Sequence, residues 1–185
     1  MLRLKEKYQK EIIPAMMEKF QYKNSMAVPK IETVIVNIGF GRFITGKTSD
    51  EEKKIINAVL ADLTKICGQK AIATKAKKSI AGFKIRQGQL IGAKVVLRRK
   101  MMHDFLERLI HIVLPRSRDF RGIDQNSFDE KGNLTIGIRE HIAFPEIAPE
   151  EMKLNFGLEV TVVTTAKNKK EGIELLKLLG FPVKS

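Results

Sequence analysis

The sequence predicts an α+β fold: a mostly antiparallel sheet with helices packed on one face and a long basic hairpin loop. Three observations carry that prediction. Segments with apolar residues every three or four positions interleave with segments of strict alternation. The strand candidates alternate, whereas strands covered on both faces of a parallel sheet read as continuous apolar runs. No internal repeat, low-complexity tract or interdomain linker interrupts the 185 residues, a length that suits one domain, 1–185, with a protruding loop at about 75–92.

The elements follow in order. Leu4, Tyr8, Ile12, Ile13, Met16, Met17 and Phe20 mark a helix from Leu2 to Phe20, which Pro14 kinks or divides. In Ile31 to Ile38, Val34, Val36 and Ile38 point one way and Thr33, Ile35 and Asn37 the other, giving a strand with one face largely buried. Ser49-Asp50-Glu51-Glu52 reads as a capping box for a helix whose stripe is Ile55, Ile56, Val59, Leu60, Leu63 and Ile66, with Gly68 as its stop. A short strand is expected at Ala71 to Lys75 and another at Ala93 to Arg99. Between them, three glycines among Lys and Arg suggest a mobile hairpin loop. A third helix carries Met101, Met102, Phe105, Leu106, Leu109, Ile110 and Val113 and is expected to stop at Pro115. After the irregular PRSRDFRG come strands at Leu134 to Arg139 and Phe156 to Thr165. The last helix is capped by Asn168 and Glu171 and stopped by Gly180 and Pro182.

Composition narrows the function. The chain has 34 Lys and Arg against 21 Asp and Glu, a formal net charge of +13. Residues 63–103 contain eleven basic side chains and no acidic one, while the rest of the chain holds 23 basic and 21 acidic groups. Nearly all the excess charge therefore sits in one stretch. Self-repulsion of that size is relieved by a polyanion, and nucleic acid releases counterions when Lys and Arg neutralise its phosphates. The apolar fraction of 43% excludes disorder and a collagen-like chain. A single cysteine, Cys67, forms no internal disulfide and fits a reducing compartment. No apolar run reaches the roughly 18 residues of a membrane span and the first residues carry no apolar signal segment, so a soluble, cytoplasmic protein without membrane contact is expected.

Candidate chemistry is thin. Gly41 to Thr48, GRFITGKT, satisfies the nucleotide-binding pattern G-x-x-x-x-G-K-[ST] between a strand and a helix. Asp50, Glu51 and Glu52, however, place three carboxylates in the helical turn that a phosphate would need to approach. Gly39-Phe40-Gly41 lacks the third glycine of a dinucleotide fingerprint. His103, His111 and His141 fall at no metal-ligand spacing and read as surface or partly buried, Cys67 reads as a small core residue, and Glu150-Glu151 as solvated. No enzyme activity, cofactor or metal is expected. Phe40, Phe43 and Phe83 lie near the basic stretch without forming a base-stacking strand motif, so folded RNA read through phosphates, 2′-hydroxyls and shape is the expected ligand, with Asn37, Gln69 and Thr74 as local polar contacts. A general RNA chaperone is the rival reading.

The segments VPKIETVIVNIGFG, TKAKKSIAGFKIRQGQLIGAKVVLRR, LPRSRDFRG, NSFDEKGNLTIGIREHIAFPEI and GLEVTVVTTAKNKKEGIELLKLLGFP resemble, in order and spacing, the bacterial large-subunit ribosomal protein five family. The resemblance covers essentially the whole chain. It implies a non-enzymatic α+β protein of the large ribosomal subunit that binds 5S rRNA and helps attach it to 23S rRNA in the central protuberance, beside large-subunit proteins eighteen and twenty-five. The family's 5S rRNA contacts map onto Asn37 and Gln69; with their basic and polar neighbours the candidate set is Asn37, Gln69, Lys70, Thr74, Arg98 and Arg99. A Thr common in the family before the LRR triplet is Val96 here, so one hydroxyl contact is absent. The loop carrying Lys75, Lys77, Lys78, Lys84 and Arg86 resembles the element that reaches P-site tRNA. A bridge to small-subunit protein thirteen is implied near PRSRDFRG and residues 133–145, with Arg116, Arg118 and Arg139 as candidates.

Overall fold

The computed structural model describes residues 4–118, 120–148, 150 and 154–184. Leu2, Asp119 of the arginine-rich stretch and Glu151 lie outside them. The chain opens with α1 (Leu4–Lys7), a π turn at Tyr8–Ile12 and α2 (Ile13–Phe20). Pro14 accounts for the π turn: proline has no amide donor, and its ring collides with the carbonyl four residues back. Widening the preceding turn, in which Ile13 N–H donates to the Tyr8 carbonyl, carries the helix past the ring. The same device recurs at Pro115. There α5 (Arg99–Arg108) leads into a π turn at Leu109–Val113, Leu114 N–H donates to the Leu109 carbonyl, and α6 (Leu114–Arg116) follows. The third helix therefore runs through Pro115 instead of stopping there.

The strands are β1 (Ile31–Gly39), β2 (Ile72–Lys75), β3 (Leu90–Leu97), β4 (Leu134–Ile138) and β5 (Leu158–Thr164), in sheet order β2-β3-β1-β5-β4. β3 begins three residues before the expected Ala93 because its antiparallel pairing with β2 continues through Thr74 opposite Gly92 and Lys75 opposite Leu90. It ends at Leu97, since Arg98 is already the cap of α5. By internal packing the chain forms two compact units, each built from separated segments: Met1–Val34, Arg98–Ile136 and Thr161–Ser185 in one, Ile35–Leu97 and Gly137–Val160 in the other. No helix among the described residues is long and apolar enough to cross a membrane.

In the first unit Ile12 and Met16, Phe105, Leu106 and Leu109, and Leu175, Leu176 and Leu179 of α7 (Lys169–Leu179) are buried. The Asn168 side chain accepts from Glu171 N–H at 2.9 Å, the Glu171 carboxylate accepts from Lys167 N–H at 3.0 Å, and Gly180, at φ 105°, closes the helix. The SFDEKGN segment acts at long range. Asp129 accepts from Asn133 N–H and from its side-chain amide, each at 2.7 Å, and Asn133 Oδ1 accepts from Thr164 N–H at 2.9 Å. Thr164 Oγ1 in turn donates to the Gly132 carbonyl at 3.1 Å. This network seats Gly132 against Gly172 of α7, where the two backbones meet with no room for a side chain on either.

The second unit contains α3 (Gly41–Ile44) and α4 (Ser49–Cys67), which packs against β2 and β3 with Ile56, Val59, Leu63, Ile66 and Cys67 buried. The helix cap is Thr48, one residue earlier than the sequence suggests: Thr48 N–H and Oγ1 both donate to Glu51 Oε2 at 3.1 Å. His141 corrects a second expectation. It is fully buried, its ring stacked on Phe156 at 3.8 Å and 6°, with Nδ1 within 3.4 Å of the Phe156 backbone and Nε2 without a hydrogen-bond partner among the described residues. Burial holds its pKa below the ordinary 6.5, against the opposing pull of the Asp62 charge and the Phe156 contact. Because the unfolded chain binds that proton more readily, stability is full above pH 6.5 and falls as pH drops below it. His141→Phe, which keeps a stacked ring, is expected to flatten the fall in urea midpoint between about pH 7 and 5. Half-buried His103, lowered chiefly by burial and also by Lys5, leaves a residual slope of the same sign. Identical slopes in wild type and variant would remove His141 from the effect.

Candidate nucleic-acid interface

In the second unit, strand alternation separates a covered face from an open one. Val36 and Ile38 of β1, and Ala93, Val95 and Leu97 of β3, are buried. Ile35 and Asn37 on β1, Thr74 on β2 and Val96 on β3 are half-buried, whereas Ile72 and Lys94 are exposed. Ile72 stands opposite Lys94 and Thr74 opposite Gly92, so these four positions share the open side of the β2–β3 pair. Asn37 has no side-chain hydrogen bond among the described residues, which leaves its amide available to a ligand.

Gly92 sets how closely this face is built. A Cβ at that position would lie 2.8 Å from the Ile38 carbonyl oxygen and 2.8 Å from Thr74 Oγ1. Only glycine allows β1 to approach so closely while Thr74 covers the gap. Just before the start of β2, Gln69 donates from Nε2 to the Val96 carbonyl at 3.3 Å, extending the backbone pairing with a side chain. One of its amide hydrogens thus has a structural role, while the residue as a whole stays exposed, next to exposed Lys70.

Of the sequence-derived set, Asn37, Gln69, Lys70 and Thr74 belong to this unit, while Arg98 and Arg99 belong to the other, as the cap and first residue of α5. Both arginines are exposed, and Arg99 sits in the left-handed region at φ 53°. Sequence reasoning left out Lys94 and Ile72. The signal was there in principle, since both lie two residues from members of the open face, but it needs the strand register to be read. The connection 76–89 joins β2 to β3, and Lys75, Lys77, Lys78, Lys84 and Arg86 are all exposed in or beside it. It is folded: Ala76 N–H donates to the Gln89 carbonyl at 2.8 Å, Gly88 N–H to the Ala76 carbonyl at 2.9 Å, and Ile80 pairs with Ile85. Arg116, Arg118 and Arg139 are exposed, the first two in one unit and Arg139 in the other.

GRFITGKT forms no phosphate cradle. Its first four residues are α3, Gly46 turns the chain at φ 80°, and the Glu51 carboxylate already accepts the Thr48 donors at the start of α4. An incoming phosphate would have to displace that carboxylate.

Two family models match the chain, one described as "Ribosomal protein L5" over residues 24–86 and the other describing the C-terminus of the same ribosomal family over residues 90–183. Proteins called "Large ribosomal subunit protein uL5" are similar along their full length. That of Halothermothrix orenii is 51% identical over 179 residues, 97% of each chain, and that of Carboxydothermus hydrogenoformans 51% over 182 residues, 98% of each. The Geotalea daltonii protein is 48% identical over 185 residues, the whole of both chains.

Proposed function

Since this chain belongs to the ribosomal protein L5 family and is a structural, non-enzymatic constituent of the large ribosomal subunit, we propose that it binds 5S rRNA through the open face of its second unit and helps attach that RNA to 23S rRNA. The observation that carries the proposal is the open sheet face itself: the Asn37 side-chain amide, without a hydrogen bond among the described residues, on β1, and Thr74, Lys94 and the exposed Gln69 and Lys70 from the one stretch of the chain that has eleven cations and no carboxylate. On this unit Lys94 and Lys70 supply phosphate contacts that fix orientation, and Asn37, Gln69 and Thr74 supply local hydrogen bonds; Arg98 and Arg99, in the first unit, are separate phosphate contacts in this reading. Large-subunit proteins eighteen and twenty-five are the neighbouring proteins in this reading. The basic connection 76–89 faces P-site tRNA, and Arg116, Arg118 and Arg139 contribute to a bridge with small-subunit protein thirteen.

The test is a titration of the full chain with 5S rRNA, tRNA and an unrelated structured RNA of similar length at two salt concentrations. Selective 5S rRNA binding that persists at the higher salt is expected. Equal, salt-fragile binding to all three would leave only the charge argument and put a general RNA chaperone in its place. Asn37→Ala is expected to weaken 5S rRNA binding by about 1–3 kcal/mol with the salt slope unchanged, because the amide contributes a hydrogen bond and no charge. Unchanged affinity would remove Asn37 from the interface.

A further inference from the structure

In the first unit, the start of α1 and the first turns of α5 border a cavity of about 490 Å³, within the roughly 300–1,000 Å³ of small-molecule sites. Its two ends differ in charge. Lys5 from α1 and Arg99 and Lys100 from α5 line it as cations, and Asp104 and Glu107, one and two turns beyond Lys100, line it as carboxylates. Among the described residues these five charges form no ion pair, although they share one space. His103 stands between the two groups: burial chiefly, then the Lys5 charge, hold its pKa below 6.5 against the pull of Asp104, so the ring adds no charge of its own at neutral pH. Lys5 and His103 also line a second cavity of about 190 Å³, which Lys30 borders as well.

That polarity restricts what can bind. Inorganic phosphate would satisfy the cations and meet two carboxylates, and a purely cationic ligand would meet three cations. A fitting ligand carries phosphate at one end, for the Arg99 fork and the lysines, and hydrogen-bond donors at the other. Guanine presents two adjacent donors, N1–H and the N2 amino group, which one carboxylate accepts side by side. Adenine and cytosine place an acceptor beside their amino group, and a carboxylate repels it. At 1.5 Å per residue, Lys100 and Glu107 lie about 10 Å apart along the helix, a length that a nucleotide spans from phosphate to base edge.

We propose that this cavity binds a free guanine nucleotide, its phosphates on Lys5, Arg99 and Lys100 and its base edge on Asp104 or Glu107. Lys30, beyond Lys5, favours a diphosphate over a monophosphate. The site lies wholly in the first unit, draws nothing from the open sheet face, and shares only Arg99 with the RNA contacts given above.

The test titrates the full chain, free of RNA, with GDP, ADP and inorganic phosphate by calorimetry, and with a short single-stranded RNA carrying one guanosine. GDP is expected to bind about tenfold more tightly than ADP or phosphate. Asp104→Asn with Glu107→Gln keeps side-chain shape but leaves one acceptor oxygen on each, and should bring GDP down to the affinity of ADP. Lys100→Ala should weaken GDP and ADP alike, about tenfold, whereas Lys53→Ala, on α4, should change neither. Thermal unfolding of each variant checks that it folds. Equal binding of GDP and ADP by the wild type, or an equal loss with Lys53→Ala and Lys100→Ala, would reduce the effect to net charge and overturn the site. Binding of the RNA without binding of GDP would overturn the free nucleotide in favour of a guanosine held in RNA, and no saturable GDP binding at all would remove the ligand altogether.

Discussion

Gly172→Ala is expected to lower the thermal midpoint by about 10 °C. The position a Cβ would take at Gly172 is occupied by the carbonyl oxygen and Cα of Gly132. Neither is the movable end of a side chain. Gly132 is held by Thr164 Oγ1 on its carbonyl and by the Asp129–Asn133 bonds on its flank, and it occupies φ 76°, a backbone conformation that favours glycine. To admit one methyl group, either α7 moves off the turn or the turn gives up its bonds. Overpacking against fixed atoms costs about 3 kcal/mol, and for a chain of this length each kcal/mol corresponds to about 2–4 °C. Gly137→Ala is the control: nothing lies within 4 Å of its Cβ position, and its midpoint should stay within a few degrees of wild type. Thermal unfolding followed by circular dichroism checks both, and similar midpoints for the two variants would mean that the turn and α7 separate freely.

The second large effect joins stability to the interface. Gly92→Ala is expected to cost about 2 kcal/mol and to weaken 5S rRNA binding, because the added methyl group meets the Ile38 carbonyl and Thr74 Oγ1 on the face that carries Asn37 and Thr74. The two clashes are not equivalent. Thr74 can rotate away, whereas the Ile38 carbonyl belongs to β1 and moves only with the strand. Adding Thr74→Ala to Gly92→Ala should therefore recover little of the lost stability, as chemical denaturation of the single and double variants would read. Full recovery in the double variant would locate the strain in the Thr74 side chain and leave the approach of β1 irrelevant. A titration with 5S rRNA on the same proteins follows the interface, and full affinity in a destabilised Gly92→Ala protein would place 5S rRNA on another surface.

Much of this was legible from local pattern. The alternation of Val34, Val36 and Ile38 against Ile35 and Asn37 is the observed division of β1, and Phe156, Leu158, Val160 and Val162 are buried as their spacing requires. Asn168 with Glu171 and Gly180 bound α7 as read. These features survive because side-chain period and capping chemistry act within a few residues, and the surrounding packing agrees with them. Where local signals compete, the reading slips. Thr48 and Ser49 are both competent caps, and only the position of Glu51 relative to the folded turn selects Thr48.

By itself the sequence determined the α+β class, the stripe of α4, the caps of α7, and the confinement of positive charge to one stretch, since each depends on residue type and spacing along the chain. Tertiary structure alone decided the rest: the contact of Gly132 with Gly172, the closeness of β1 to Gly92, the burial of His141 against Phe156, and the use of one Gln69 hydrogen by the Val96 carbonyl. Each joins residues far apart in sequence. Their separations are set by how elements dock, and no local period encodes the distance between two backbones.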